Sequence, residues 1–321
     1  MHTSGARNRL LGVLRGALPS DAGPGRILIG LDRVEHSERA DRLVDAVRTV
    51  VRAVPLGRGR DALHGRWLGH PVHPLMVQVP LGSWMSAAVL DFVPGQQRAA
   101  RTLVGTGLVA ALPAAAAGWA DWAELRRPQM RVGLVHAAAN AAGVAFYGAS
   151  FVARARGRFA RGRLWGLAGL AAVSVGGAVG GHMAFRQASG ANHAEHVAEL
   201  VGTGWHTVGE LADFPVGTPV RRHLRDEPVV VVHEPTGAVR VLADRCSHMG
   251  GPLSEGRVAD GCIRCPWHGS AFRLSDGWNT SGPATAAQPV FTTRITGSLV
   301  EARLQHLSGH TPAAPSGEES Q

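Results

Sequence analysis

The sequence predicts a multi-domain chain, a four-helix transmembrane bundle followed by an all-β domain. Two observations carry the prediction. Residues 74–90, 102–120, 132–153 and 164–185 contain no Arg, Lys, Asp or Glu, and a helix needs about 20 predominantly apolar residues to cross a bilayer. From residue 203 onward these long runs give way to short Val- and Thr-bearing runs broken by Gly and Pro, the pattern of strands and tight turns.

Residues 1–60 form a polar and amphipathic N-terminal segment. Within it, Leu43, Val47, Val50, Val51 and Val54 recur at helical spacing with Arg and Asp opposite. This helix is expected on the membrane surface or docked on the bundle. The membrane domain is expected over residues 61–186, with Arg, Asp and Trp marking the ends of its spans. Small residues crowd its interior, as in residues 111–118 and 176–181. They suit lipid, where close backbone approach rather than hydrophobicity drives helix association. Residues 187–202 read as a linker and residues 203–306 as the β domain. There Pro228-Val-Val-Val-Val-His-Glu, a turn at Pro235-Thr-Gly237 and Ala238-Val-Arg-Val-Leu-Ala predict a hairpin. Residues 1–25 and 307–321 are expected to be flexible.

All 33 basic residues are Arg, and the formal net charge is +9. With abundant Ala and Gly, this reads as a compositional bias of the genome. No basic face interleaved with aromatics accompanies it, so nucleic acid is excluded as a partner. No cleavable leader is expected, because the first apolar run of sufficient length begins beyond residue 70. The three cysteines supply no disulfide framework.

Two of those cysteines lie in Cys246-Ser-His248 and Cys265-Pro-Trp-His268, separated by 16 residues. Mixed pairs let two loops each give one ligand to each iron of a [2Fe-2S] diamond, thiolates on one iron and imidazoles on the other. Neutral imidazoles leave the cluster less negative and easier to reduce. A structural zinc site also uses two Cys and two His, usually ordered C-x2-4-C then H-x3-5-H. Here each pair mixes the two residue types, and both are followed by Gly, at Gly250 and Gly269. Cys262 makes a formal C-x-x-C with Cys265, but is expected to be a small buried residue on the strand entering the second loop.

Residues 246–272 resemble the Rieske [2Fe-2S] family, and residues 203–306 have its length and strand-rich pattern. The resemblance implies that Cys246, His248, Cys265 and His268 ligate the cluster, with supporting positions at Gly250, Trp267, Ser270 and Pro283. Gly282-Pro283-Ala284 would then be the third, proline-containing loop that covers it. Respiratory members carry an extra Cys in each ligand loop, joined by a disulfide; the corresponding positions here are Gly251 and Trp267. They also hydrogen-bond the cluster sulfurs with a Ser and a Tyr. Ser270 is present, but Phe272 stands at the Tyr position. Fewer hydrogen bonds stabilise the more negative, reduced cluster less. A potential below that of quinol-oxidising members, nearer the ferredoxin type, is therefore expected.

Residues 60–190 resemble a family of predicted membrane domains of unknown function. The matching pieces are Trp67-Leu-Gly-His70-Pro-Val-His73-Pro, Asp91, Gly118-Trp-Ala-Asp121-Trp, residues 136–140 and Gly180-Gly-His182. This resemblance implies an architecture and no activity. With four alternating spans, His70, His73, Asp121, His136 and His182 fall at the membrane face that carries the β domain, and Asp91 at the other. Ionisable groups there are costly and point to function. Three readings stand: a hydrogen-bond network tying helix ends, a quinone pocket, or His136 and His182 as ligands of haem b or another metal site. His70 and His73 each precede Pro and are read as shaping the start of a helix.

These elements together predict an integral protein of the cell membrane. It would carry single electrons between a redox protein donor and acceptor, without a substrate-converting site of its own. Rieske oxygenases need a mononuclear iron, held by two His and a carboxylate in a large following domain, and only 53 residues follow His268. The alternatives are a ferredoxin component supplying a separate oxygenase or reductase, a quinol- or haem-linked redox protein, and a redox sensor. Seven Arg flank the spans on each side, a tie under the positive-inside rule. The missing leader and disulfide favour a cytoplasmic Rieske domain.

Overall fold

The computed structural model describes residues 25–305; the flexibility expected of the two termini concerns residues that lie almost wholly outside that range. The chain divides into two compact units, residues 1–56 with 72–189, and residues 57–71 with 190–321. In chain order the helices are α1 (Gly25–His36), α2 (Asp41–Ala53), α3 (Arg58–His64), α4 (His73–Met76), α5 (Gln78–Leu90), α6 (Gln97–Trp122), α7 (Arg127–Ala155) and α8 (Phe159–Gly181). A π-helical turn, His182–Arg186, extends α8. All but α3 belong to the first unit.

Among the described residues, three helices are long and apolar enough to cross a membrane: α6, α7, and α8 with its π turn. The first expected span does not reach that length. It is broken at Val77 into α4 and α5. Pro80 has no N–H, so the carbonyl of Met76 loses its donor four residues on. The 13 residues of α5 span about 20 Å at 1.5 Å per residue, short of a hydrocarbon core of about 30 Å.

Glycine makes the contact between α7 and α8. A Cβ added at Gly143 would lie 2.4 Å from Val173, at Gly169 2.8 Å from Tyr147, and at Gly176 2.5 Å from Asn140. Trp84 of α5 stacks on Tyr147 with ring centroids 4.2 Å apart, and its indole N–H donates to the carbonyl of Val104 (3.3 Å). At the C-terminal end of α5, Asp91 receives both arms of the buried Arg154 guanidinium at 2.6 Å each. The amphipathic helix α2 docks on the bundle, one of its two expected placements. Arg131 of α7 holds Asp41 at 2.7 and 2.8 Å, Arg48 donates to the carbonyl of Ala123 (3.0 Å), and Val44 is buried. Leu43, Val50 and Val54 of the apolar stripe stay exposed.

Among its described residues, the second unit has ten strands in two antiparallel sheets. The larger sheet has the order β1-β10-β9-β4-β3-β2 and the smaller β5-β6-β7-β8. The first four strands are β1 (His206–Glu210), β2 (Pro219–Leu224), β3 (Glu227–His233) and β4 (Val239–Ala243). The smaller sheet contains β5 (Arg257–Ala259), β6 (Cys262–Arg264), β7 (Ala271–Arg273) and β8 (Asn279–Ser281), and the chain ends on β9 (Val290–Thr296) and β10 (Leu299–Leu304).

The expected hairpin is β3–β4, with Val231 opposite Val241. Its four consecutive valines are all buried because β3 is covered on both faces. Val229 and Val231 enter one core with Phe214 and Val300. Val230 and Val232 enter the other with Cys246, Cys265, Phe272 and Leu274. The second core is the floor of the ligand loops. Residues 190–202, read as a linker from sequence, hold α9 (Val197–Val201) and contribute Ala194, Val197 and Val201 to the first core.

Candidate metal centre

The two Cys–His loops are twins in their backbone bonding. In the first, the Cys246 carbonyl accepts the N–H of Gly250 and the Cys246 N–H donates to Gly251 O, both at 2.8 Å. In the second, the Cys265 carbonyl accepts the N–H of Gly269 (3.1 Å) and the Cys265 N–H donates to Ser270 O (2.8 Å). Each loop thus closes on residues four and five beyond its cysteine. Gly250 and Gly269 both have φ of 74°, a left-handed conformation that glycine adopts without strain. The two glycines close the two turns.

This folding brings all four candidate ligands together. The thiols of Cys246 and Cys265 are both buried and hydrogen-bonded to each other. The rings of His248 and His268 stand edge to face with centroids 5.0 Å apart. Backbone N–H groups of His248 and Met249 point at the Cys246 sulfur, and those of Trp267 and His268 at the Cys265 sulfur. Such donors stabilise thiolate. The shared hydrogen bond and these amides lower the Cys265 thiol to about 7, while the same bond and burial raise that of Cys246. Burial, ahead of the charges of neighbouring histidines, depresses His248 to about 3 and keeps it as the neutral imidazole a metal requires.

Two thiols beside each other and two imidazoles beside each other suit two metal ions held by one pair each. The donor set and its pairing therefore fit a [2Fe-2S] group.

The supporting positions lie close by. Gly251 and Trp267, the places of the respiratory disulfide, touch: a Cβ on Gly251 would meet the Trp267 ring at 2.9 Å and the Cys265 sulfur at 3.0 Å. Trp267 remains 47% exposed. The Ser270 hydroxyl accepts the Ala284 N–H (3.1 Å), tying the Gly282-Pro283-Ala284 loop to the second ligand loop and leaving its own proton available to donate. Phe272 is fully buried in the core beneath. Cys262 lies on β6 as expected, but is half-buried rather than buried, with its sulfur 3.8 Å from the Thr280 hydroxyl.

Sequence reading missed Gln288. Its buried amide donates to Ala243 O (2.8 Å) and Arg245 O (2.6 Å) and accepts the Ser247 N–H (3.0 Å). It also missed Asp244, whose carboxylate accepts the Ser254 N–H (2.6 Å) and hydroxyl (3.1 Å). Neither residue belongs to a spacing motif, so no local signal marks them.

The membrane histidines separate. His136 is hydrogen-bonded through Nδ1 to the Gly176 carbonyl (2.8 Å), and its ring meets that of His73 at 6.1 Å. The Nδ1 of His73 binds the Ala114 carbonyl (2.8 Å). His182 lies on the π turn, and no ring contact joins it to His136 among the described residues. The contacts are those of a network tying helices together, and the haem and quinone readings gain no support from them.

Fold and site together define a Rieske-type iron–sulfur domain. Residues 204–292 match the Rieske [2Fe-2S] domain family, and the chain belongs to that family. Residues 69–193 match a second family, described as a predicted membrane protein (DUF2231). The anthranilate 1,2-dioxygenase ferredoxin subunit of Burkholderia cepacia is 32% identical over 97 residues, which make up 30% of this chain and 89% of that protein. The chlorophyllide a oxygenase of Chlamydomonas reinhardtii is 33% identical over 102 residues. The match covers 32% of this chain but only 16% of the length of that relative. Among solved structures, a complex of reduced oxygenase and oxidized ferredoxin in carbazole 1,9a-dioxygenase matches at 28% identity, covering 32% of this chain and 94% of that one, with a TM-score of 0.30.

Proposed function

We propose that the protein is a membrane-anchored carrier of single electrons, in which Cys246 and Cys265 hold one iron of a [2Fe-2S] cluster and His248 and His268 the other. The observation that carries this reading is the pair of twin loops, which set thiol beside thiol and imidazole beside imidazole. When bound, the cluster supplies reversible one-electron chemistry at a potential tuned by its imidazole ligands. The loops supply the rest: amide donors that hold the sulfurs as thiolates, burial that keeps His248 neutral, and an apolar floor that excludes water. Similarity to a dioxygenase ferredoxin subunit supports a ferredoxin-like role, delivering electrons to a separate oxygenase or reductase component. The broken first helix packs as a fourth member of the anchor, and the Rieske domain lies on the cytoplasmic side.

Electron paramagnetic resonance of the dithionite-reduced, detergent-purified protein tests the assignment. A rhombic reduced-state signal is expected, lost in both Cys265→Ser and His268→Ala variants. A signal that survives either substitution overturns the ligand set. A reporter fused after Gln321 that reads as external overturns the orientation.

A further inference from the structure

Residues 57–71 precede the long spans in sequence, yet they group with the Rieske domain. Their helix, α3, reaches the Gly282-Pro283-Ala284 loop through a hydrogen bond across 221 positions: the Gly282 N–H donates to Asp61 Oδ1 (3.1 Å). Gly282 is tightly seated. Its φ is +87°, and a Cβ there would lie 2.7 Å from Ser270 Cα and 2.9 Å from Ser270 N. Ser270 in turn accepts the Cys265 N–H through its carbonyl. A continuous run of contacts thus joins the Asp61 carboxylate to the cysteine of the second loop. Three residues on, His64 is only 2% exposed and lies among the histidines that surround His248. Gly65, at φ 80°, then ends the helix in the left-handed conformation.

We propose that α3 is a fixed cover over the histidine side of the cluster, with Asp61 and His64 as positioning residues. Asp61 holds the Gly282-Pro283 loop down on the second ligand loop, and His64 fills space beside His248 that water would otherwise enter. This rests on the ligand assignment given above. The reduced cluster carries one more negative charge than the oxidised form, and solvent exposure is one of the factors that set its potential. Opening the cover therefore stabilises the reduced form and raises the midpoint.

The test is a redox titration followed by electron paramagnetic resonance on the full-length protein. Asp61→Ala and His64→Ala are expected to raise the midpoint and shift the g values. Asp61→Asn retains an acceptor oxygen, and His64→Leu retains the volume; both should keep the wild-type midpoint. Unchanged midpoint and spectrum in the two alanine variants overturn the proposal. So does a shift in His64→Leu equal to that in His64→Ala, or loss of the cluster from Asp61→Ala and Asp61→Asn alike. The wild-type spectrum tells the two failures apart. No reduced-state signal there sinks the cluster assignment itself, whereas a normal signal with indifferent variants sinks only the cover.

Discussion

Gln288 joins three backbone groups of the first ligand loop with one side chain, although it lies 41 residues from the nearer partner of the pair at Ser247. Gln288→Ala leaves two carbonyls and an amide buried without their partner, at a cost of about 3 kcal/mol. A shift in the urea midpoint of cluster absorbance measures it. Phe272→Tyr tests the potential. A hydroxyl reaching a cluster sulfur bonds the more negative, reduced form more strongly, and each 1 kcal/mol of that difference raises the one-electron midpoint by about 40 mV, read by redox titration. The four candidate ligands that the fold brings together stood out in the sequence because a metal demands fixed residue types at fixed spacing. Gln288 and Asp61 were not legible, because a hydrogen-bond partner can come from anywhere in the chain.

Among elements, the ends of the helices carry most of the buried charge. Asp91 and Arg154 form a bidentate pair with side chains 11% and 1% exposed. Removing one partner of a buried pair strands the other charge, at about 3 kcal/mol or more. Asp91→Asn should therefore lower resistance to unfolding in a detergent titration, and Asp91→Asn combined with Arg154→Met should recover much of it. At the other end of the chain, the β9–β10 hairpin holds the Glu301 carboxyl below its ordinary value, chiefly through a hydrogen bond from Arg294 and then one from Thr296. A depressed carboxylate contributes stability above its unfolded value and loses it as pH falls through the folded one. The hairpin should thus weaken in acid below the ordinary glutamate value of about 4.3, and Glu301→Gln should flatten that loss in amide-exchange measurements. The valine run of β3 was legible as a strand because nothing in it serves a helix face. The first expected span is interrupted: hydropathy counts apolar residues, whereas the missing N–H of Pro80 acts on where the helix breaks.

For the whole molecule, composition marked the long apolar helices and the motif marked the Rieske domain. Two families in tandem, residues 69–193 and 204–292, follow that order. What the linear reading could not see is that the compact units are not consecutive. A segment of 15 residues crosses from one side of the spans in sequence to join the domain on the other. Periodicity and composition are local quantities, and they carry no record of such a return.

That segment imposes an order on the life of each new chain. The polypeptide passes between the two units after residues 56, 71 and 189. The ribosome therefore releases α3 before any of the long helices, and both ligand loops only after the last of them. Until residue 282 is made, Asp61 of α3 lacks the backbone N–H that it accepts in the folded chain. A nascent chain halted between residues 190 and 287 has all of its long helices but lacks the Gln288 side chain that ties the first ligand loop. The two ligand loops therefore close only after every long helix has been made.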